Sequence, residues 1–189
     1  MEIENVYLYL RNISQAYVQS TTLLNRDFYV RPPPKLIQQL GLDESSILRV
    51  VKPLYGVPEA GNHWFQTYHS HHVKELSMEQ STYDPCLLYS NEPFGIVGLQ
   101  TDDILFVGDT RFAQQEQVQL EKAGFLAKER EHLTPTKHLK FNGGIIQLQD
   151  DGITLTQERQ CSNLVLVGDK PTTYSLLEIL GLHNKSRCN

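Results

Sequence analysis

Short apolar runs alternate with polar turns along most of the chain, a pattern typical of a sheet protein with a few helices. Runs rich in β-branched and aromatic residues predict strands at residues 6–10, 28–30, 47–51, 86–89, 94–99 and 104–107. Residues 141–148 and 152–156 predict a later hairpin around Gln149-Asp150-Asp151. Because these runs are short and separated by turns, they favour antiparallel pairing over a parallel sheet.

Helical spacing is clearest in the middle of the chain. Phe65, Tyr68, His72 and Leu76 recur every three or four residues, which predicts a helix from about Glu59 to Leu76. Further helices are predicted at residues 35–40, 112–123 and 158–165. Hairpins mixed with helices predict an α+β fold, in which helices cover one face of an antiparallel sheet.

Composition places the chain among globular proteins. It has 189 residues, of which 40% are hydrophobic and 21% charged, enough for one domain with a core. Its net charge of −5 is unusual for a stand-alone nucleic-acid binder, and the best local basic cluster comprises Lys128, Arg130, Lys137 and Lys140.

The three widely spaced cysteines predict reduced thiols. Since no signal peptide or transmembrane segment is visible, an intracellular location, cytoplasmic or nuclear, is expected.

The adjacent carboxylates Asp102 and Asp103 are the strongest chemical candidates. They lie between two apolar runs, so residues 95–107 predict a hairpin with both carboxylates at its tip. Acidic residues are common at such turns simply because aspartate tolerates turn geometry and favours water. A rigid pair of carboxylates is also what Mg²⁺ requires, usually together with a third carboxylate from elsewhere in the fold.

Three other clusters carry weaker signals. His63, His69, His71 and His72 lack the spacing of a zinc site and are expected to be packing or surface histidines. Asp150-Asp151-Gly152 predicts an ordinary hairpin turn. Residues 168–173 lack the leading glycine and the spacing of a phosphate-binding loop.

Five motifs in matching order resemble the Ty1/copia-type reverse transcriptases. Residues 54–64 (LYGVPEAGNHW) resemble the pattern L-Y-G-L-x-x-A-x-x-x-W, and residues 81–87 (STYDPCL) resemble S-x-x-D-P-x-L. Residues 101–105 (TDDIL) stand where the family has V-D-D-I-L, in a form found in fungal elements. Residues 139–145 (LKFNGGI) and 152–157 (GITLTQ) resemble the later F-L-G-I and G-I-x-L-x-Q motifs.

The resemblance implies the palm of an RNA-directed DNA polymerase, a nucleotidyltransferase that binds an RNA or DNA template-primer and a dNTP. It implies two Mg²⁺ ions held with the help of Asp102 and Asp103. Tyr17 matches an aromatic expected against the nucleotide sugar, and Gly56 lies in a loop expected near template and nucleotide. Residues 1–165 would then be a partial palm domain whose fingers are largely missing, and residues 166–189 a divergent C-terminal tail.

One departure from the family pattern bears on activity. The family's first metal aspartate opens a D-V-x-x-A-F pattern, and here residues 12–17 read NISQAY, so Asn12 stands in that position. An amide is neutral and cannot act as an anionic two-oxygen ligand. The sequence therefore leaves two alternatives: a fragment with weak polymerase activity, or a non-catalytic relic reused for binding nucleic acid or protein. An unrelated ferredoxin-like regulatory domain is a third reading, which requires all five motifs to match by chance.

Overall fold

A six-stranded antiparallel sheet forms the centre of the protein. The computed structural model describes residues 6–150 and 152–162. The strands of this part of the chain are β1 (Tyr7–Asn12), β2 (Phe28–Val30), β3 (Leu48–Val50), β4 (Glu79–Gln80), β5 (Leu87–Asn91), β6 (Phe94–Gln100), β7 (Asp103–Gly108), β8 (Glu131–His132), β9 (Leu139–Phe141), β10 (Gly144–Gln149) and β11 (Gly152–Thr156). The central sheet has the order β4-β5-β6-β7-β1-β8, while β2 and β3 form a separate pair.

The helices agree with the periodic segments of the sequence. They are α1 (Pro34–Leu40), α2 (Ala60–Glu75), α3 (Thr110–Lys122) and α4 (Glu158–Cys161). A 3-10 turn, Ala16–Gln19, follows β1. Asp109 is the N-cap of helix α3, and its carboxylate accepts a hydrogen bond of 2.7 Å from the backbone N–H of Phe112. The helix predicted at residues 158–165 is described only as α4, because residues beyond 162 lie outside the described part of the chain.

Helices α2 and α3 pack on the same face of the central sheet. Alternate strand residues on that face join Trp64 and Tyr68 of α2 and Phe112 of α3 in one buried cluster; the strand members are Leu88, Val97, Leu99, Ile104 and Phe106. Phe112 lies so close to the sheet that a Cβ at Gly95 would fall 2.5 Å from its ring, and one at Gly108 would fall 2.7 Å away. Glycine at these two positions therefore permits the contact.

A buried ion pair fixes β1 to α3. Arg11, which is 2% exposed, donates from Nε and Nη2 to the two carboxylate oxygens of Glu116 at 3.0 and 2.6 Å. Arg130 donates to the same carboxylate at 3.2 Å. Because unpairing a buried charge is strongly unfavourable, this network holds β1, which lies between β7 and β8, against the helix layer.

The opposite face of the sheet is partly covered by a second, three-stranded sheet of order β11-β10-β9. Leu10 of β1 packs there with Leu133, Leu139 and Ile146. The prediction of one strand over residues 141–148 is wrong, because Asn142 and Gly143 form a turn between β9 and β10. Both have positive φ, 47° and 77°, as an Asn-Gly hairpin turn requires.

These layers confirm the predicted α+β class, with an antiparallel sheet and helices on one face. In the central sheet, β6 pairs with β7 and β7 pairs with β1, so strands far apart in the sequence lie side by side. Within residues 6–150 and 152–162, no helix combines the length and the apolar character needed to cross a membrane.

Candidate functional site

The hairpin of β6 and β7 presents Asp102 and Asp103 at its tip, as the sequence predicts. Gln100 pairs with Asp103, so only Thr101 and Asp102 form the turn. Both carboxylate residues are half-buried. Asp103 lies two residues before Leu105, whose side chain packs in the second core, so it faces away from the helix layer. The hydrogen-bonded ladder therefore holds Asp103 on the face of the sheet opposite the helices, and Asp102 lies beside it in the turn.

Asn12 lies directly beside this pair. It is the last residue of β1 and is paired in register with Asp103. Its side-chain Nδ2 donates a hydrogen bond to Asp103 Oδ1 at 2.8 Å and another to Asp102 Oδ2 at 3.3 Å. The next residue, Ile13, donates its backbone N–H to the carbonyl of Asp102 at 2.7 Å. The structure therefore brings the three predicted positions together at one point.

The chemistry of this trio differs from that of a metal centre. A two-metal site needs a third anionic oxygen ligand, and here the third group turns two N–H donors towards the carboxylates. The described residues contain no group of three or more histidine, cysteine, aspartate or glutamate side chains placed to hold a metal ion. The residues present therefore do not fit a pair of Mg²⁺ ions.

Tyr17 and the loop that contains Gly56 lie on the same side as Asp102. The rings of Tyr17 and Tyr55 stack with their centroids 4.3 Å apart. Tyr55 is the second residue of a turn closed by a hydrogen bond from Val57 N–H to the Leu54 carbonyl, and Gly56 supplies the φ of 95° at the third position. Burial, and then the nearby charge of Asp102, raise the pKa of Tyr55 above its ordinary value.

Sequence reasoning missed Tyr55 and the role of Trp64. Tyr55 lies in the same motif as Gly56, and its adjacency was the available signal. The sequence places Trp64 within the helix predicted from about Glu59 to Leu76 and indicates no contact with the hairpin. In the structure its indole Nε1 donates to the carbonyl of Thr101 at 2.7 Å, although 37 residues separate the two. No local sequence pattern predicts a contact between residues so far apart along the chain.

The histidines of α2 have packing roles. His63 and His72 are almost fully buried, and His72 Nδ1 lies 3.0 Å from the carbonyl of Tyr68. His63 Nδ1 lies 2.7 Å from the Thr22 hydroxyl. Burial lowers the pKa of His72 to about 3, which keeps the ring neutral at ordinary pH. Of the remaining clusters, Asp150 is exposed, and residues 151 and 168–173 lie outside the described part of the chain.

The basic cluster is largely engaged within the protein. Arg130 pairs with Glu116, and its guanidinium lies 4.7 Å from the centroid of the Tyr9 ring. Lys137 pairs with Glu131 at 3.0 Å. Lys128 and Lys140 are exposed. Two of the four charges are therefore paired with carboxylates of the same chain.

Sequence comparison relates the chain to retrotransposon polyproteins. It is 31% identical over 105 residues to the "Truncated transposon Ty1-A Gag-Pol polyprotein" and to the "Transposon Ty1-DR5 Gag-Pol polyprotein", both of Saccharomyces cerevisiae. The match covers 56% of this chain but only 8% and 6%, respectively, of those polyproteins. No family model matches the chain.

Among solved structures, a telomerase from Candida tropicalis without its C-terminal domain matches with a TM-score of 0.47 and 12% identity. That match covers 80% of this chain and 35% of the telomerase chain, and its TM-score is too low to establish a shared fold. The relationship that the comparisons support is one of sequence: this chain is homologous to a short segment of the Ty1 Gag-Pol polyproteins.

Proposed function

We propose that this chain is a segment of the reverse transcriptase palm of a Ty1-type Gag-Pol polyprotein, and that it no longer polymerises. Its support is the order of the five motifs, the Ty1 relatives and the position of Asn12. The single observation that carries the proposal is the pair of hydrogen bonds from Asn12 Nδ2 to Asp102 and Asp103.

Asn12 lowers the negative charge available for divalent cations. Nucleotidyl transfer of the kind the motifs imply depends on carboxylates that concentrate negative charge at one point for divalent cations. Asn12 removes one of those charges, and its N–H groups take up lone pairs of the other two. Loss of such an electrostatic group costs on the order of a thousandfold in rate, about 4 kcal/mol of barrier.

The same geometry favours a non-catalytic product over a slow enzyme. The amide donates hydrogen bonds to both carboxylates, so bonds within the protein hold the tip of the hairpin. Because a bound cation would have to displace these hydrogen bonds, the site is both weaker in charge and already occupied by a donor. RNA, DNA and dNTP remain the ligands that this origin suggests.

The test is primer extension on an RNA template with Mg²⁺ or Mn²⁺, using the unmodified chain and Asn12→Asp. We expect no extension by the unmodified chain and measurable extension by the variant. The matched control is the double variant Asn12→Asp with Asp102→Asn, which restores one carboxylate and removes another. Robust extension by the unmodified chain would contradict the proposal.

A second readout applies if Asn12→Asp also fails to extend the primer. Binding of Mn²⁺ is followed by electron paramagnetic resonance for the unmodified chain and for Asn12→Asp. Tighter binding by the variant, by at least about tenfold, supports Asn12 as the lesion, since one added anionic ligand contributes about 1.4 kcal/mol or more. Equal binding by both proteins would show that Asn12 does not disable the site.

A further inference from the structure

The tip of the β6–β7 hairpin is attached to the rest of the protein at two consecutive carbonyl groups. The carbonyl of Asp102 accepts the backbone N–H of Ile13 at 2.7 Å. The carbonyl of Thr101 accepts the indole N–H of Trp64, also at 2.7 Å. The first bond comes from the residue that follows β1 and the second from α2, so the turn is held from the sheet side and from the helix layer.

Thr101 needs such support. Its φ is 54°, in the left-handed region that a β-branched residue rarely adopts. Such a conformation persists only where the surrounding structure determines it. The hydrogen bond from Trp64 is the contact that acts directly on the Thr101 peptide group, and it favours the turn in which Asp102 and Asp103 both reach Asn12.

The indole is fixed independently of this bond. Trp64 is 2% exposed, and its ring stacks on Tyr68 at a centroid distance of 4.9 Å. The ring of Phe125 meets it edge-on at 5.7 Å. A donor that is already immobilised loses little entropy on binding the Thr101 carbonyl, so it is well suited to set the position of a turn.

We propose that Trp64 is a positioning residue for the carboxylate pair, acting through the carbonyl of Thr101. It touches neither carboxylate and sets the geometry in which both accept hydrogen bonds from Asn12. The inference deepens the proposed function, and it rests on that function only where metal binding is the readout. In the unmodified chain it concerns the hydrogen bonds of Asn12 alone.

The first experiment uses Trp64→Phe in the full chain. Phenylalanine keeps an aromatic ring in the core and removes the N–H donor. We measure by NMR how fast the side-chain N–H protons of Asn12 exchange with water. Exchange about tenfold faster is expected, the equivalent of one net hydrogen bond lost from the network that holds the turn. Unchanged exchange in a folded variant would overturn the proposal.

The matched control is Thr67→Val, on the same helix. It removes the hydroxyl that donates to the His63 carbonyl and accepts the Thr21 N–H, and it does not touch the hairpin. A purely structural effect on α2 would raise Asn12 exchange in both variants alike, and that outcome would also overturn the proposal. An effect confined to Trp64→Phe supports it.

A second variant avoids the change in ring size. Trp64 is the only tryptophan of the chain, so benzothienylalanine can replace it by global incorporation, exchanging the indole N–H for sulfur at nearly constant shape. The same rise in Asn12 exchange is expected, and its absence would overturn the proposal even if Trp64→Phe fails to fold.

The Asn12→Asp background separates this inference from the proposed function. There, Trp64→Phe is expected to weaken Mn²⁺ binding about tenfold, as the turn loses its anchor. Undiminished Mn²⁺ binding would overturn the positioning role. If Asn12→Asp binds no Mn²⁺ at all, the proposed function fails, and the exchange measurements on the unmodified chain still decide the role of Trp64.

Discussion

The sequence carries an Asp-Asp pair twice, at residues 102–103 and 150–151, and the surroundings of Asp102 and Asp103 differ from those of Asp150. The first pair is half-buried and bonded to Asn12, and its turn is held by Ile13 and Trp64. In the second hairpin, Asp150 is exposed next to the strands β10 and β11. The acidic pair alone does not make a site; the neighbouring strand and helix that reach its turn do.

The largest expected difference between the hairpins comes from Asn12→Asp. In the absence of divalent cations this change replaces two hydrogen bonds with a third negative charge, and we expect a loss of about 2–3 kcal/mol of unfolding free energy. Urea denaturation in EDTA measures it. Added Mn²⁺ is expected to recover part of the loss, because it binds the folded trio.

Asn142→Asp is the matched control, since Asn142 occupies an exposed hairpin turn with positive φ that aspartate also tolerates. The same chemical change there should alter stability by less than about 0.5 kcal/mol. Equal losses at the two positions would mean that the trio at Asn12 has no special electrostatic character.

Acid is the next largest perturbation, and it acts on α2, the helix that anchors the first hairpin. Because burial lowers the pKa of His72 to about 3, the unfolded chain binds a proton below pH 6.5 that the folded chain does not. The contribution of neutral His72 to the free energy of unfolding is therefore fully present above pH 6.5, and it falls as the pH drops towards 3. Between pH 7 and pH 5 the protonation of this histidine in the unfolded chain should lower the free energy of unfolding by about 2 kcal/mol.

Urea titrations across that pH range measure how the free energy of unfolding changes with pH, with His72→Gln as the comparison protein. The glutamine variant is less stable at pH 7 but should lose less on acidification. A variant that keeps the full slope would assign the acid sensitivity to other groups.

The sequence predicts several of the features that distinguish the two hairpins, whereas others depend on contacts that it does not reveal. The strand runs around residues 94–107 predict the hairpin and place both carboxylates at its tip. The match of residues 12–17 to a family pattern predicts Asn12 beside them. The Asn142-Gly143 dipeptide is a strong hairpin signal that the apolar run of residues 141–148 obscured. The hydrogen bond between Trp64 and Thr101 depends on tertiary packing, which periodicity along the chain does not encode.

A smaller effect is expected from relieving the turn itself. Thr101→Asn should stabilise the protein by about 1 kcal/mol, since asparagine tolerates the left-handed region better than a β-branched residue. The carbonyl that accepts the Trp64 N–H is retained. Thermal and urea unfolding measure the change. A decrease in stability would indicate that the threonine side chain contributes contacts that outweigh its backbone strain.

A small effect is expected at Asp150, and replacing aspartate by asparagine compares that position with Asp103 of the first hairpin. Asp103→Asn removes the negative charge of the carboxylate that accepts the 2.8 Å hydrogen bond from Asn12. We expect it to lower the free energy of unfolding by about 1–2 kcal/mol. Asp150→Asn, at an exposed turn, should change stability by less than about 0.5 kcal/mol. Both are read from urea unfolding at pH 7. If the two substitutions cost the same, the contacts around Asn12 do not distinguish the hairpins energetically, and the first pair is as incidental to the fold as the second.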